Sequence, residues 1–396
     1  MRIASVRTGV VGTPWRHLTL IELATDDGLT GVGEVRMPSN TQALLGYLAE
    51  AEPRHLIGAD PFEIEALVQS MVRTDYARAG EITMSAISIV EMACWDIVGK
   101  ALGQPVYKLL GGKVRERVKA YANGWYTVER TPEQFHAAAK EVVARGYGAM
   151  KLDPFGAGAW ELDPIESRRS IELVEAVRDA VGPNTEIMIE MHGRFTPRTA
   201  ISIARDLESF RPAWIEEPVP PENLKALARV TEAVSLPVAT GERIHSRHEF
   251  RELFELQAAD IIQADLAHSG GILEMRKLAA TAETHYMLVA PHNVGGPIAT
   301  AAALHLGACA PNFKILEHFN DFADAWIHQV TPGLPMVDPD DGCFPLSTQP
   351  GLGVRIDWDA VAEYPPEPVH FNLFRPGWER REARLNHLEQ PGVELS

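Results

Sequence analysis

At 396 residues the chain is long enough for two or three domains or for one barrel with additions, and 45% hydrophobic with 23% charged residues is an ordinary globular composition. A formal net charge of −17 argues against a nucleic-acid partner, which needs a basic face, and no run of 18 uninterrupted apolar residues points to a membrane span. Three scattered cysteines, Cys94, Cys309 and Cys343, exclude a disulfide framework or a thiolate zinc site, and the start of the chain lacks an apolar leader, which fits a cytoplasmic protein.

Residues 1 to about 50 read as a meander. Strands are expected over Ile3–Val10, His17–Ala24 and Leu29–Val35, and Asp27-Gly28 between two apolar alternations is a hairpin signal. Helical spacing follows at Ile64, Leu67, Val68 and Met71. Met84 to Leu102 is apolar around most of its circumference, the pattern of a buried helix at a domain contact.

From about residue 118 short strands alternate with helices of about 12 residues. The strands expected are Val118–Ala122, Gly148–Leu152, Glu186–Met191, Pro212–Glu216, Pro237–Thr240, Asp260–Asp265, Met287–Ala290 and Phe313–Glu317. Eight such units predict an α/β fold with a closed parallel barrel, and no glycine fingerprint for a dinucleotide or a nucleoside triphosphate follows any strand. After residue 330 the order gives way to Pro and Gly turns. Phe374 to Ser396 reads as a charged, solvated arm.

Chemistry gathers where the strands end, which is the face on which barrel active sites sit. Glu190, Glu216 and Glu242 close three successive strands with even spacing, and three hard oxygen ligands on neighbouring strands suit Mg²⁺. Alternation along the strand predicts that Glu190 and His192 point into the same space. Asp265 and His292 end the next two strands, and a carboxylate bonded to one imidazole nitrogen makes the other a general base. Glu317 ends the last strand. Across from the acidic trio, Lys151 and Asp153 stand on one face of the strand ending Met150-Lys-Leu-Asp-Pro154, and both are candidates for contact with substrate; Lys151 either meets a substrate carboxylate or pairs with acids of the ring.

Taken together these stretches resemble the enolase superfamily, mandelate racemase subgroup, and more closely its galactonate- and gluconate-type acid-sugar dehydratases. The resemblance rests on Cys94-Trp-Asp-Ile-Val-Gly-Lys100, Leu109-Leu-Gly-Gly112, Ile215-Glu-Glu-Pro218, Thr240-Gly-Glu-Arg243, Asp265 with Ser269-Gly-Gly-Ile272, and Ala290-Pro-His292. It implies a modified (β/α)₇β TIM-like barrel over residues 118–330, beneath an α+β capping domain formed by residues 1–117 and completed by residues 331–396. It implies one Mg²⁺ on Glu190, Glu216 and Glu242, which stabilises the enediolate formed when a proton leaves the carbon beside a carboxylate.

By the same resemblance His292 with Asp265 is the base, Glu317 donates a hydrogen bond to the substrate carboxylate, and His192 protonates the departing 3-hydroxyl. Asp153 stands where a racemase carries its second lysine, which argues against racemisation and implies a D (R) centre at C2. Glu190 stands where aspartate is commoner. Substrate selection is expected from cap residues Trp15, Arg16, Asp75, Tyr76 and Arg78, since a buried polar group left unpaired rejects the wrong polyol. The expected activity is dehydration of a monocarboxylic sugar acid to a 2-keto-3-deoxy acid. An epimerase or cycloisomerase, and a non-catalytic metal-bound regulatory barrel, are the alternatives. Assembly into a homo-oligomer is a common property of this family.

Overall fold

The computed structural model describes residues 1–381 except 13, 14, 38, 78, 324 and 367–371. Strands β1 (Ile3–Gly12), β2 (His17–Thr25) and β3 (Thr30–Met37) form an antiparallel sheet in the order β1-β2-β3. The β2–β3 turn runs through Asp27 and Gly28, and Gly28 takes the positive φ (+89°) that such a turn requires. Helices Thr41–Ala51 and Ile64–Thr74 follow, then the long helix Glu81–Ala101.

That long helix passes the length and hydropathy test for a membrane span, yet 89% of its apolar window is buried inside the protein. Its two faces explain why. Gly31 and Gly33 of β3 let the sheet close onto it, since a Cβ at either position would lie 2.0 Å from a helix carbonyl, Ala93 O or Ile89 O. On its other side Glu91 accepts hydrogen bonds from the Ile272 and Leu273 amides at 2.8 and 2.9 Å, and Ser88 Oγ accepts one from Gly270 N. The helix therefore joins the sheet to the barrel. Cys94 lies in this buried helix, and is core.

The barrel strands are β4 (Arg117–Ala122), β5 (Ala149–Leu152), β6 (Glu186–Glu190), β7 (Trp214–Glu216), β8 (Val238–Thr240), β9 (Ile261–Ile262), β10 (Leu288–Val289) and β11 (Leu316–His318), all parallel. The sheet runs β10-β9-β8-β7-β6-β5-β4-β11. It curls shut where Val289 N donates to Asn312 O and Lys314 N to Val289 O, just ahead of β11. Seven helices lie between the eight strands. Several begin with a capping side chain, and Thr131-Pro132, Asp163-Pro164 and Thr196-Pro197 combine that cap with a proline whose missing N–H is not needed in the first turn.

Tyr121, Met188, Trp214, Ile261 and Ile315 fill the barrel interior with small residues between them, so the barrel is a packed core with its chemistry at one rim. Beyond residue 330, β12 (Cys343–Pro345) pairs antiparallel with β4. The helix Trp358–Glu363 turns back to the first sheet, where Trp358 Nε1 donates to Glu22.

Candidate metal centre and active-site cavity

Parallel register sets Glu190 directly beside Glu216, both at the last position of their strands. Glu242 lies two residues past β8, beyond Gly241, where φ is +142° and a Cβ would come within 2.8 Å of Ala264 N. Oxygens of the three carboxylates lie within 4.8 Å of one another. Lys151 enters this group from β5: its Nζ is 2.5 Å from Glu216, 3.2 Å from Glu190 and 3.0 Å from Glu317. Of the two readings of Lys151, the geometry gives the ion pair within the ring.

The electrostatics show what the trio still needs. Burial raises the carboxyls of Glu190 and Glu216, Glu216 well above the usual range with Glu190 adding to the shift, and Lys151 only partly offsets this. Burial would likewise lower the Lys151 ammonium, but Glu216, Glu317 and Glu190 hold it well above its ordinary value. Around Lys151 one ammonium faces three carboxylates, those of Glu190, Glu216 and Glu317, which leaves excess negative charge there. Converging hard oxygens with that excess fit a divalent cation such as Mg²⁺, and Glu190, Glu216 and Glu242 are the residues that would hold it.

Two histidines reach the same cavity, each backed by an aspartate. His292 Nδ1 is 2.6 Å from Asp265 Oδ2, and its Nε2 is 3.6 Å from Glu242. Burial alone would lower this imidazole, yet Glu242 and Asp265 raise it to about 10. Glu242 in turn would be raised by burial but is held at about 2 by His292, Arg243 and Lys151.

His192 departs from the expected alternation. The strand stops at Glu190, and His192 sits in a left-handed turn (φ +48°) with its amide donating to Glu190 Oε1 at 2.7 Å. It reaches the same cavity by that turn, with Nδ1 2.5 Å from Asp153 Oδ2.

A cavity of about 320 Å³ opens above these groups, lined among others by Lys151, Glu190, His192, Glu242 and His292. Trp15 lines it as expected. Arg16 does not; it is fully buried and donates to the Val294 carbonyl. Asp153 is withdrawn from the cavity as well. Its oxygens accept from Arg194, His192 and the Phe155 amide, so the expectation that it touches substrate is corrected.

Glu317 also lies behind the cavity wall. Lys151, Asn123 Nδ2 and the Asn293 amide occupy its oxygens. Burial would raise its carboxyl, but Lys151 and His292 keep it low and ionised. An ionised carboxylate only accepts hydrogen bonds, so the donor role expected of Glu317 does not fit its surroundings. Asp75 bonds Thr83, and the side chain of Tyr76 is fully exposed at a separate open groove on the cap, away from this cavity; Arg78 lies outside the described residues.

The largest departure concerns the start of the segment expected to be a solvated arm. Residues 373–381 bring Leu373, Trp378 and Arg381 to the cavity wall, and residues 382–396 of that arm lie outside the described residues. The Trp378 ring meets His192 edge to face at 5.5 Å, and its indole donates to Gly156 O at 2.9 Å. Arg381 lies over Trp15, Tyr126 and Phe319 and donates to Gly124 O. Arg36, Glu81, His245 and His268 also line the wall, none of them singled out by the sequence patterns.

Comparison with known proteins agrees with this architecture. Residues 4–111 match the mandelate racemase / muconate lactonizing enzyme N-terminal domain, and residues 134–360 match the enolase C-terminal domain-like family. A D-gluconate/D-galactonate dehydratase from Picrophilus torridus is 36% identical over 93% of this chain and 94% of its own length. A D-galactonate dehydratase from Verminephrobacter eiseniae is 37% identical over 92% and 94%. The crystal structure of a mandelate racemase/muconate lactonizing enzyme from Jannaschia sp. CCS1 superposes with a TM-score of 0.87 at 32% identity, covering 94% of this chain and 100% of that one. The chain belongs to the mandelate racemase/muconate lactonizing enzyme family of the enolase superfamily.

Proposed function

We propose that the protein is a Mg²⁺-dependent dehydratase that converts a monocarboxylic sugar acid, an aldonate of D (R) configuration at C2, to a 2-keto-3-deoxy acid. The observation that carries this reading is the pair of histidines, His192 and His292, lining one cavity beside three converging carboxylates. The names of the relatives, dehydratases of gluconate and galactonate, support the same class of substrate.

When bound on Glu190, Glu216 and Glu242, the cation supplies the positive charge that makes a proton beside a carboxylate acidic enough to remove. Glu242 and Asp265 hold the His292 imidazole protonated, and a cation on Glu242 would offset the first of these, so that His292 could serve as the base. His292, oriented by Asp265, takes the C2 proton through Nε2. His192 delivers a proton to the C3 hydroxyl, which leaves as water while the C2–C3 double bond forms. The resulting enol gains a proton at C3 and becomes the ketone, so the net change is loss of one water. Asp153, in the place of a second lysine base, is tied to Arg194 and His192, which supports one-sided proton abstraction at C2.

The test is a panel of D-sugar acids incubated with enzyme and MgCl₂ and assayed for 2-keto-3-deoxy product. Turnover of one or more aldonates, lost about a thousand-fold in His292→Asn, is the expected outcome. Failure of every member of the panel overturns the reading.

A further inference from the structure

Asp153 never meets the cavity, yet it organises the wall that carries His192. Arg194 Nη2 lies 2.6 Å from both Asp153 oxygens, and Arg194, itself buried, also donates to Gly156 O. Trp378 donates to that same carbonyl and lays its ring across the flank of the imidazole. The backbone of His192 is held as firmly: its amide donates to Glu190, and its carbonyl accepts from Arg243 at 2.6 Å. A non-glycine residue at positive φ persists only where its surroundings over-determine it, and here they do.

We propose that Asp153 is a positioning residue for departure of the C3 hydroxyl: clamped by Arg194, it binds Nδ1 of His192 and leaves Nε2 as the one ring nitrogen able to exchange a proton with substrate, while Trp378 fixes the ring's flank. The chemistry follows from donor and acceptor count. A carboxylate ion-paired to arginine only accepts, so Nδ1 carries its hydrogen whether the ring is neutral or charged. Proton exchange with the cavity is thereby confined to Nε2. Asp265 holds His292 in the same manner on the base side, so the cavity is served by two independent Asp–His dyads. The inference rests on the reading of His192 as the acid of a dehydration.

The two dyads can be separated experimentally. In D₂O, with an aldonate that the enzyme turns over, formation of 2-keto-3-deoxy product reports both steps, whereas deuterium at C2 of recovered substrate reports proton removal alone. Asp153→Asn and Trp378→Ala are expected to slow dehydration at least tenfold while exchange at C2 continues; His292→Asn abolishes both. Equal losses of exchange and dehydration in the two variants, or no loss of either, overturn the proposal.

Should the wild-type enzyme dehydrate no sugar acid, the functional reading fails, and the positioning role is judged by ¹⁵N NMR of histidine-labelled protein. Arg194 demands an acceptor, so the amide introduced by Asp153→Asn would turn its oxygen to Arg194 and its NH₂ to His192. His192 is expected to carry its proton on Nδ1 in the wild-type protein and on Nε2 in Asp153→Asn. An unchanged tautomer overturns the role.

Discussion

Lys151 Nζ stands 2.5 Å from Glu216 Oε1, and the same ammonium reaches Glu190 and Glu317. It is 2% exposed, so its removal leaves buried carboxylates without a counter-charge. In the absence of divalent metal, Lys151→Met is expected to lower the free energy of unfolding by about 3 kcal/mol. Urea titrations with and without MgCl₂ check this, and the cation is expected to recover more stability in the variant than in the wild-type protein.

Metal removal supplies a second test. Because the three carboxylates converge only in the folded chain, Mg²⁺ is expected to bind the native state and not the unfolded one. At a hundredfold excess over Kd it is expected to add about 3 kcal/mol to unfolding, and chelation with EDTA should remove the same amount. Glu190→Gln should abolish that increment in the same urea titration.

Gly241 governs the third carboxylate. At φ +142°, with Ala264 N 2.8 Å from where a Cβ would stand, Gly241→Ala forces the loop carrying Glu242 to shift. A loss of about 2 kcal/mol in stability is expected from the backbone strain. Calorimetric titration with MgCl₂ should show at least a tenfold weaker Kd as well, because the displaced carboxylate no longer meets its two partners.

Away from the cavity, His305 predicts a pH dependence. Burial lowers its imidazole from 6.5 to about 4, while Nδ1 accepts from the Tyr107 amide and Nε2 lies against Leu352 O. Between those values the unfolded chain takes up a proton that the native chain refuses. The stability is therefore full above pH 6.5 and is lost as pH falls toward 4. His305→Gln keeps a donor and an acceptor without titrating. From about pH 7 to about pH 4.5 the wild-type protein is expected to lose about 2 kcal/mol more than this variant in urea unfolding.

The barrel was legible because its signal is periodic. Most βα units repeat an apolar run and an amphipathic helix, five of the seven helices starting at a capping side chain, and the even spacing of Glu190, Glu216 and Glu242 follows from that repeat. The Asp265–His292 pair was legible for the same reason. Alternation named the right pair at His192 for the wrong reason: Glu190 and His192 share the cavity, but the strand's two-residue period ends at Glu190, and the positive φ that brings His192 there carries no mark in the sequence.

The rest of the wall is tertiary. Arg36, His268 and Arg381 come from distant stretches, brought together by packing that no local pattern encodes. Trp378 did leave a trace: a large aromatic side chain in an otherwise charged segment is out of place in solvent, and here it is 2% exposed. Asp153 was noticed for its position rather than its partners, because nothing in the sequence announces that Arg194 will claim it.

The cavity wall is drawn from separate pieces of chain: Trp15 from the β1–β2 loop and Arg36 from β3, the acids and histidines from the barrel rim, and Leu373, Trp378 and Arg381 from the closing segment. Only the rim residues are bound to the repeat of the barrel. Within residues 373–381 Trp378 is tied to Gly156 and His192 and Arg381 to Gly124, but Leu373 lines the cavity with an apolar side chain on a stretch that has neither strand nor long helix to preserve, so it can be exchanged without disturbing the hydrogen-bonded framework beneath. A new preference for chain length or hydroxyl configuration in the substrate can therefore arise at the wall while the proton-transfer groups stay where they are.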